Sequence, residues 1–219
     1  MKHLLNRLIV YFLFSMAVPA SWAATEQATL MVFGDSLSAA YGIDEADGWV
    51  NLLASKLSAN GRSYRVINGS VSGETTTGGL ARLPAMLDSY TPDLVILELG
   101  GNDGLRGLPL EQIKQNLSKM IVLIQSTGAE VLLAGIQIPP NYGPRYTVPF
   151  FAQYAELAEE KDLALVPFLI DGIVQRPELM QNDGIHPKAE AQSMILENVW
   201  PLLVPMLKLP AEAPVSGNG

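Results

Sequence analysis

The chain contains two histidines, and His186 lies in the segment NDGIHP (182–187), three residues after Asp183. At this spacing on a tight loop, a carboxylate can meet imidazole Nδ1, which fixes the tautomer and leaves Nε2 free as a general base. Proline is favoured at the first position of a helix, so Pro187 predicts that a helix begins directly after His186. The alternative is an ordinary Asp-Gly turn, in which His186 only caps a helix.

Ser36 is the candidate nucleophile for such a base. It follows a predicted buried strand and lies between Asp35 and Leu37, where a hydroxyl is presented at the edge of a sheet. A serine just after a strand is more often a helix cap than a nucleophile. A serine hydroxyl becomes nucleophilic when an imidazole takes its proton, so Ser36 and His186 together predict nucleophilic catalysis.

A tetrahedral oxyanion would need preorganised hydrogen-bond donors. Gly73 could offer its backbone N–H on a turn that a bulkier residue would crowd, Asn102 its side-chain amide, and Ser36 its own N–H. Each has a simpler explanation: Gly73 could only permit a positive φ, and the segment 102–104, Asn-Asp-Gly, could be a turn.

The N-terminus has the layout of a secretory signal peptide. Lys2 and Arg7 precede an apolar run, and small residues follow at Ser21, Ala23 and Ala24. We therefore expect residues 1–23 to be removed and the protein to be periplasmic or secreted, with no stable membrane span afterwards. The alternative is an uncleaved anchor, which the shortness of the apolar run disfavours.

Composition restricts cofactors and partners. Removing the leader leaves His186 as the only histidine, and the chain has no cysteine, so the usual multi-histidine and thiolate zinc sites are excluded. It also leaves 12 basic against 22 acidic residues, a formal charge of −10. Such a surface disfavours nucleic acid and anionic membranes as partners.

The elements that must position these residues alternate between short apolar runs and longer amphipathic stretches, which predicts an α/β fold of one domain over residues 24–208 with a flexible tail at 209–219. The predicted strands of the parallel sheet cover 29–33, 64–68, 94–99, 131–136 and 164–167. The predicted helices cover 49–59, 80–89, 150–161 and 187–207, with another containing residues 113–124. In such a sheet, loops at the carboxyl ends of the strands form the site.

Four loop segments in order, GDSL (34–37), NGSVSGE (68–74), GGND (100–103) and DGIH (183–186), resemble the SGNH or GDSL family of serine hydrolases. The resemblance spans essentially the whole mature chain. It implies a three-layer α/β/α sandwich, flavodoxin-like, with a five-stranded parallel sheet in order 2-1-3-4-5.

The resemblance also implies roles for individual residues. Ser36 corresponds to the nucleophile, and Asp183 and His186 to the other triad members. Gly73 and Asn102, with Ser36 itself, correspond to the oxyanion-hole donors. Further stretches, such as GLARLP (79–84), resemble a branch of periplasmic thioesterases, lysophospholipases and arylesterases. This implies hydrolysis of carboxylic esters and thioesters with broad acyl specificity, including fatty acyl esters and lysophospholipids, without a metal or organic cofactor, and we expect a monomer.

The segment 138–145 is the candidate wall of an acyl groove, because its prolines restrict the backbone while Ile138, Pro139 and Tyr142 supply apolar area. The segment 75–80, with its paired glycines, resembles the family's mobile loop near the active site. Both segments could instead be ordinary surface connections.

Two other functions compete with this interpretation. The same catalytic segments serve carbohydrate esterases that remove acetyl groups from sugars. A flavodoxin-like binding module without catalysis would use the loop after the first strand, with Ser36 and Ser38, to hold phosphate. The binding module gives no common role to Asp183, His186 and Asn102, so we favour the hydrolase.

Overall fold

The computed structural model describes residues 27–208. The predicted leader (1–23) and tail (209–219) lie outside the described residues. Within residues 27–208, no helix is both long enough and apolar enough to cross a membrane.

A five-stranded parallel sheet forms the centre of the fold, in the order β2-β1-β3-β4-β5. The central strands are fully buried because their apolar side chains face helices on both sides. The predicted fold class and strand order are therefore confirmed. The strands are β1 (Ala28–Gly34), β2 (Tyr64–Asn68), β3 (Leu94–Glu98), β4 (Glu130–Ala134) and β5 (Ala164–Val166).

Helices cover both faces of the sheet and enclose two apolar cores. Alternation along β1 divides its side chains between them, with Leu30 and Val32 in one core and Met31 and Phe33 in the other. Helices α1 and α6 cover the first core, and α2, α4 and α5 cover the second. The helices are α1 (Trp49–Ala59), α2 (Thr76–Tyr90), α3 (Gly101–Leu105), α4 (Leu110–Ser126), α5 (Pro144–Lys161) and α6 (Gln192–Leu203).

Helix α2 begins four residues earlier than predicted, so the prediction of a mobile loop at 75–80 is wrong. Thr75 caps the helix by accepting a hydrogen bond from the backbone N–H of Gly78 at 3.2 Å. The first turn of the helix packs closely against Leu99 at Gly79. An ideal Cβ on Gly79 would lie only 2.5 Å from Leu99 Cδ1. Gly79 therefore allows close packing against Leu99, whereas a Cβ on Gly78 would meet the Glu74 side chain.

The prediction of a continuous helix over 187–207 is also wrong at both ends. Pro187 is not in a helix but pairs with Met180 in an isolated antiparallel bridge. Single 3-10 turns, Ala189–Ala191 and Val204–Met206, flank α6. The bridge closes a compact loop, and that loop carries Asp183 and His186.

Candidate active site

Ser36, His186 and Asp183 form a continuous hydrogen-bonded chain. His186 Nε2 lies 2.8 Å from Ser36 Oγ, and His186 Nδ1 lies 2.7 Å from Asp183 Oδ2. Ser36 follows β1 at the carboxyl edge of the sheet, whereas the other two residues come from the loop before α6, where His186 lies 150 positions away in sequence. The fold therefore brings together the three residues that the sequence singled out.

The loop geometry holds the Asp183 carboxylate beside the imidazole. Its Oδ1 accepts hydrogen bonds from the backbone N–H groups of Ile185 at 2.9 Å and His186 at 3.0 Å. Partial burial raises the pKa of Asp183, but the hydrogen bonds from the His186 ring and these two backbone groups outweigh it and lower the pKa to about 2. Asp183 is consequently ionised throughout the neutral range and can fix the tautomer of His186.

Contacts from outside the loop fix the position of the imidazole. The Gln181 side chain donates a hydrogen bond to the Tyr41 carbonyl at 2.8 Å, and its backbone N–H donates to the His186 carbonyl at 2.8 Å. The Tyr41 ring lies against the imidazole, with centroids 4.5 Å apart. Sequence reasoning missed Tyr41 because the segment that follows Ser36 gives no local indication that it will meet residue 186.

The predicted oxyanion donors lie at the same edge of the sheet as Ser36. Asn102 lies in the first turn of α3, and Gly73 lies in the loop before α2 with φ +80°. No other residue's heavy atom lies within 4 Å of an ideal Cβ on Gly73, so the predicted crowding is wrong. The backbone conformation is what favours glycine there.

Hydrogen bonds, two of them buried, connect the segments that carry Gly73 and Asn102. The Asp103 carboxylate accepts hydrogen bonds from the Thr76 backbone N–H at 2.8 Å and from its hydroxyl at 2.6 Å. Arg106 donates to the Gly73 carbonyl at 3.2 Å. Because Asp103 is adjacent to Asn102 and fully buried, this contact fixes the spacing between the two donor loops.

Beneath Ser36 lie two buried carboxyl groups, Asp35 and Glu98, which sequence reasoning did not identify as site residues. Their exposed fractions are 2% and 0%. Burial raises the pKa of Asp35 to about 6, against the opposing effect of the Leu37 backbone hydrogen bond and the His186 charge. Burial, together with repulsion from Asp35, raises the pKa of Glu98 well above its usual range.

The Glu98 carboxyl should make stability depend on pH. Since its pKa is raised in the folded state, the folded protein holds a proton that the unfolded chain releases above pH 4.5. Its stabilising contribution is thus complete below pH 4.5 and is lost as pH rises toward the folded pKa, by about 1.4 kcal/mol per pH unit. Relative to Glu98→Gln, the wild type should lose free energy of unfolding between pH 5 and 7 in urea titrations. Parallel pH dependences of the two proteins would contradict this prediction.

A cavity of about 660 Å³ opens beside Ser36 and His186. Its walls are mostly apolar, and its rim includes Ser36, Gly73 and Asn102. Residues that sequence reasoning did not connect with the site also line it, namely Tyr41, Leu105, Ile136, Phe168, Ile170, Val174 and Ile185. The loop after β5 therefore supplies one wall of the cavity, a contribution that has no motif in the sequence.

The segment predicted to form an acyl wall borders the cavity only in part, and its role in binding an acyl chain stays a prediction. Ile138 and Pro139 line the cavity, whereas Tyr142 does not. The Tyr142 hydroxyl donates a hydrogen bond to the Leu105 carbonyl at 2.8 Å, and the residue is 39% exposed. Tyr142 instead connects the loop before α5 to α3, outside the cavity.

The potential for metal binding is limited in the described part of the chain. Residues 27–208 contain no group of three or more His, Cys, Asp or Glu residues arranged to hold a metal ion. The groups at the cavity that can act chemically are therefore a hydroxyl, an imidazole, carboxyls and amide donors.

Comparison with known proteins gives consistent matches along the chain. The model of the GDSL-like Lipase/Acylhydrolase family matches residues 32–193. Esterase TesA of Pseudomonas aeruginosa is 53% identical over 84% of this chain and 92% of its own length. Thioesterase 1/protease 1/lysophospholipase L1 of Escherichia coli K12 is 41% identical over 90% of this chain and 92% of its own length.

A solved structure matches the fold as well. The psychrotrophic esterase EstA from Pseudoalteromonas sp., in a structure inhibited by monoethylphosphonate, superposes with a TM-score of 0.78 and 40% identity. The match covers 81% of this chain and 97% of that one.

Proposed function

Because this chain belongs to the GDSL-like lipase/acylhydrolase family, we propose that it is a serine hydrolase that cleaves carboxylic esters and thioesters of acyl chains. The observation that carries the proposal is the hydrogen-bonded chain from Ser36 through His186 to Asp183, which faces an apolar cavity. Similar proteins bear the names esterase and thioesterase/lysophospholipase, in agreement with this chemistry.

In the proposed reaction, His186 Nε2 takes the proton of Ser36 as Oγ attacks the acyl carbonyl carbon. Asp183, ionised at neutral pH, stabilises the imidazolium that forms. The same imidazolium then protonates the leaving alcohol or thiol. Water, deprotonated by His186, attacks the acyl-enzyme, and the imidazolium returns this proton to Ser36 Oγ as the carboxylic acid is released.

Negative charge on the carbonyl oxygen would be stabilised by the backbone N–H groups of Ser36 and Gly73 and by the Asn102 amide. The support is that all three residues border the same cavity. Such donors act strongly because they are oriented before the charge develops and because they act in a site from which water is excluded.

The cavity favours an apolar acyl group. Its apolar lining includes Ile138 and Pro139 from the segment after β4, and Ile170 and Val174 from the segment after β5. Of the lining residues in the described chain, none is Lys or Arg, so a polyanionic leaving group such as that of acyl-CoA has no cationic partner there. We therefore propose fatty acyl esters and lysophospholipids as the preferred substrate class.

Filling the cavity wall should shorten the preferred acyl chain. In Val174→Trp, the larger side chain occupies space that distal methylenes need, and each buried methylene contributes about 0.8 kcal/mol. Activity (kcat/KM) toward p-nitrophenyl dodecanoate should fall at least about tenfold relative to the butyrate ester. The matched control is Val122→Trp, since Val122 is similarly exposed but lies on α4 outside the cavity. Equal chain-length profiles for both variants would exclude Val174 from the acyl site.

The function itself is tested by covalent labelling. A fluorophosphonate should form an adduct on Ser36 that peptide mass spectrometry locates, with parallel loss of p-nitrophenyl ester hydrolysis. Absence of labelling together with tight flavin or phosphate binding would instead support the non-catalytic binding module. Preference for acetylated sugars over acyl esters would support the carbohydrate esterase.

The proposal includes export and a single folded unit. We propose that residues 1–23 direct the chain across the inner membrane and that the mature enzyme is a periplasmic or secreted monomer. N-terminal sequencing of the protein recovered from the periplasm and sedimentation analysis test both points. Recovery of a protein that still carries residues 1–23 from the membrane fraction would contradict the proposed cleavage.

A further inference from the structure

We infer that Asp35 and Glu98 form a buried carboxyl pair that positions the Asn102 amide and the backbone on both sides of Ser36. The inference rests on the proposed ester hydrolase, because it assigns a task in that reaction to two residues outside the triad. Both are positioning residues, since neither is placed to exchange atoms with the substrate.

The Asp35 carboxylate faces the reaction site. Its Oδ2 accepts a hydrogen bond from Asn102 Nδ2 at 3.1 Å, and its Oδ1 accepts one from the Leu37 backbone N–H at 3.1 Å. A side-chain amide has two N–H donors, so holding one of them fixes the rotation of the amide and the direction of the other. An oxyanion donor acts best when it is aimed before the charge develops.

The Glu98 carboxyl holds the other side of the nucleophile loop. Its Oε2 accepts hydrogen bonds from the Asp35 backbone N–H at 3.1 Å and from the Ser38 hydroxyl at 2.7 Å. These two residues lie on either side of Ser36, so a single oxygen atom anchors both flanks of the nucleophile. An ideal Cβ on Gly34 would lie within van der Waals overlap of the same oxygen, which explains the glycine before Asp35.

The pair holds one proton. Within residues 27–208, Glu98 Oε1 is buried and has no hydrogen-bond partner. Two carboxyl groups in contact cannot both be ionised without water, so a proton on Glu98 makes it a donor to ionised Asp35. The hydrogen bond between the two side chains lowers the pKa of Asp35 and raises that of Glu98, which agrees with a proton held on Glu98.

The negative charge on Asp35 also acts on the base. Attraction between Asp35 and His186 lowers the pKa of the Asp35 carboxyl, so the two groups interact across the site. Tyr154 from α5 interacts with both carboxyl groups, and Asp103 from α3 acts in turn on Tyr154. Tyr154 donates its hydroxyl proton to the Leu99 carbonyl at 3.0 Å, and Asp103 is bound to Thr76, so both are already occupied.

The decisive experiment is a double-mutant cycle on kcat. Asp35→Asn should lower kcat about 30- to 100-fold with KM within about threefold, because the lost interaction is made in the transition state. If Asp35 acts through Asn102, the double variant with Asn102→Ala should be no slower than Asn102→Ala alone. Additive losses would overturn the inference.

A matched control separates this effect from the general loss of a carboxylate that accepts a backbone hydrogen bond. Asp93 also accepts a backbone hydrogen bond, from Thr29 at 2.8 Å, but at the opposite end of the same strands. Asp93→Asn should keep kcat and KM at the wild-type values. An equal fall in kcat for Asp93→Asn and Asp35→Asn would show that only stability is affected and would overturn the inference.

The protonated state of Glu98 has its own spectroscopic test. Infrared spectra at neutral pH should contain the C=O stretch of a protonated carboxylic acid that Glu98→Gln removes. The amide keeps an acceptor for Asp35 N–H and Ser38 and a donor for the Asp35 carboxylate, so its kcat should fall less than that of Asp35→Asn. Absence of the band, or a larger fall in kcat for Glu98→Gln, would overturn the shared-proton arrangement.

Failure of the inference can be told from failure of the proposed function. If the wild type neither hydrolyses p-nitrophenyl esters nor reacts with a fluorophosphonate, the function fails and the inference with it. If the wild type does both while Asp35→Asn matches Asp93→Asn, the function stands and only the positioning role fails.

Discussion

Replacing Ser36 by alanine is expected to reduce kcat for p-nitrophenyl ester hydrolysis by about 10⁴- to 10⁶-fold, or roughly 5 to 8 kcal/mol of transition-state stabilisation. The reason is that Oγ, 2.8 Å from His186 Nε2, is the only atom in the proposed mechanism that can form the acyl-enzyme. Residual activity would come from binding and the oxyanion donors acting on water. Stopped-flow and steady-state assays with the butyrate ester measure the change.

Ser55→Ala provides the matched control for that experiment. Ser55 lies on the exposed face of α1, away from the cavity. Its Oγ donates a hydrogen bond to the Asn51 carbonyl. This variant should retain the wild-type kcat and the fluorophosphonate labelling that Ser36→Ala loses. A folded Ser36→Ala protein with wild-type turnover would refute the assigned nucleophile.

Replacing His186 by alanine is expected to lower kcat by about 10⁴-fold or more, because no other imidazole lies in the described chain to accept the Ser36 proton. The double variant with Ser36→Ala should be no slower than either single variant, since the two residues act as one unit. Measured rates of fluorophosphonate labelling should fall in parallel with kcat, because labelling needs the same proton transfer.

Asn182→Ala controls for disturbance of the loop that carries His186. Asn182 is exposed, lies next to Asp183 and makes no side-chain hydrogen bond within the described structure. Its kcat should stay within about threefold of the wild type. If the two alanine variants lost activity to the same extent, loop structure and not the imidazole would be responsible.

The site was predictable where a local pattern carries the information. The spacing of Asp183 and His186 on one loop fixes their contact, and this short-range geometry is visible in the sequence. The continuous apolar runs likewise predicted every strand to within one or two residues at each end. The meeting of Ser36 and His186 followed from the rule that loops at the carboxyl ends of parallel strands share an edge.

The rest depends on contacts that no local pattern encodes. Glu98 ends an apolar strand and reads as an ordinary strand terminus, yet it is fully buried because it lies beneath the nucleophile loop. Val174 and Ile170 follow the shortest strand without any motif, and only the fold places them at the same cavity as Ile138. Gly78 and Gly79 suggested a mobile loop, whereas in the structure Gly79 packs closely against Leu99 and a Cβ on Gly78 would meet the Glu74 side chain.

The distance of 150 residues between Ser36 and His186 makes catalysis a reporter of chain assembly. A refolding molecule can form β1, β3 and β4 and still be inactive, because His186 is in place only when the segment that follows β5 has packed. Recovery of turnover during refolding should therefore trail the return of helical circular dichroism. Turnover would therefore report when the segment after β5 packs onto the rest of the protein.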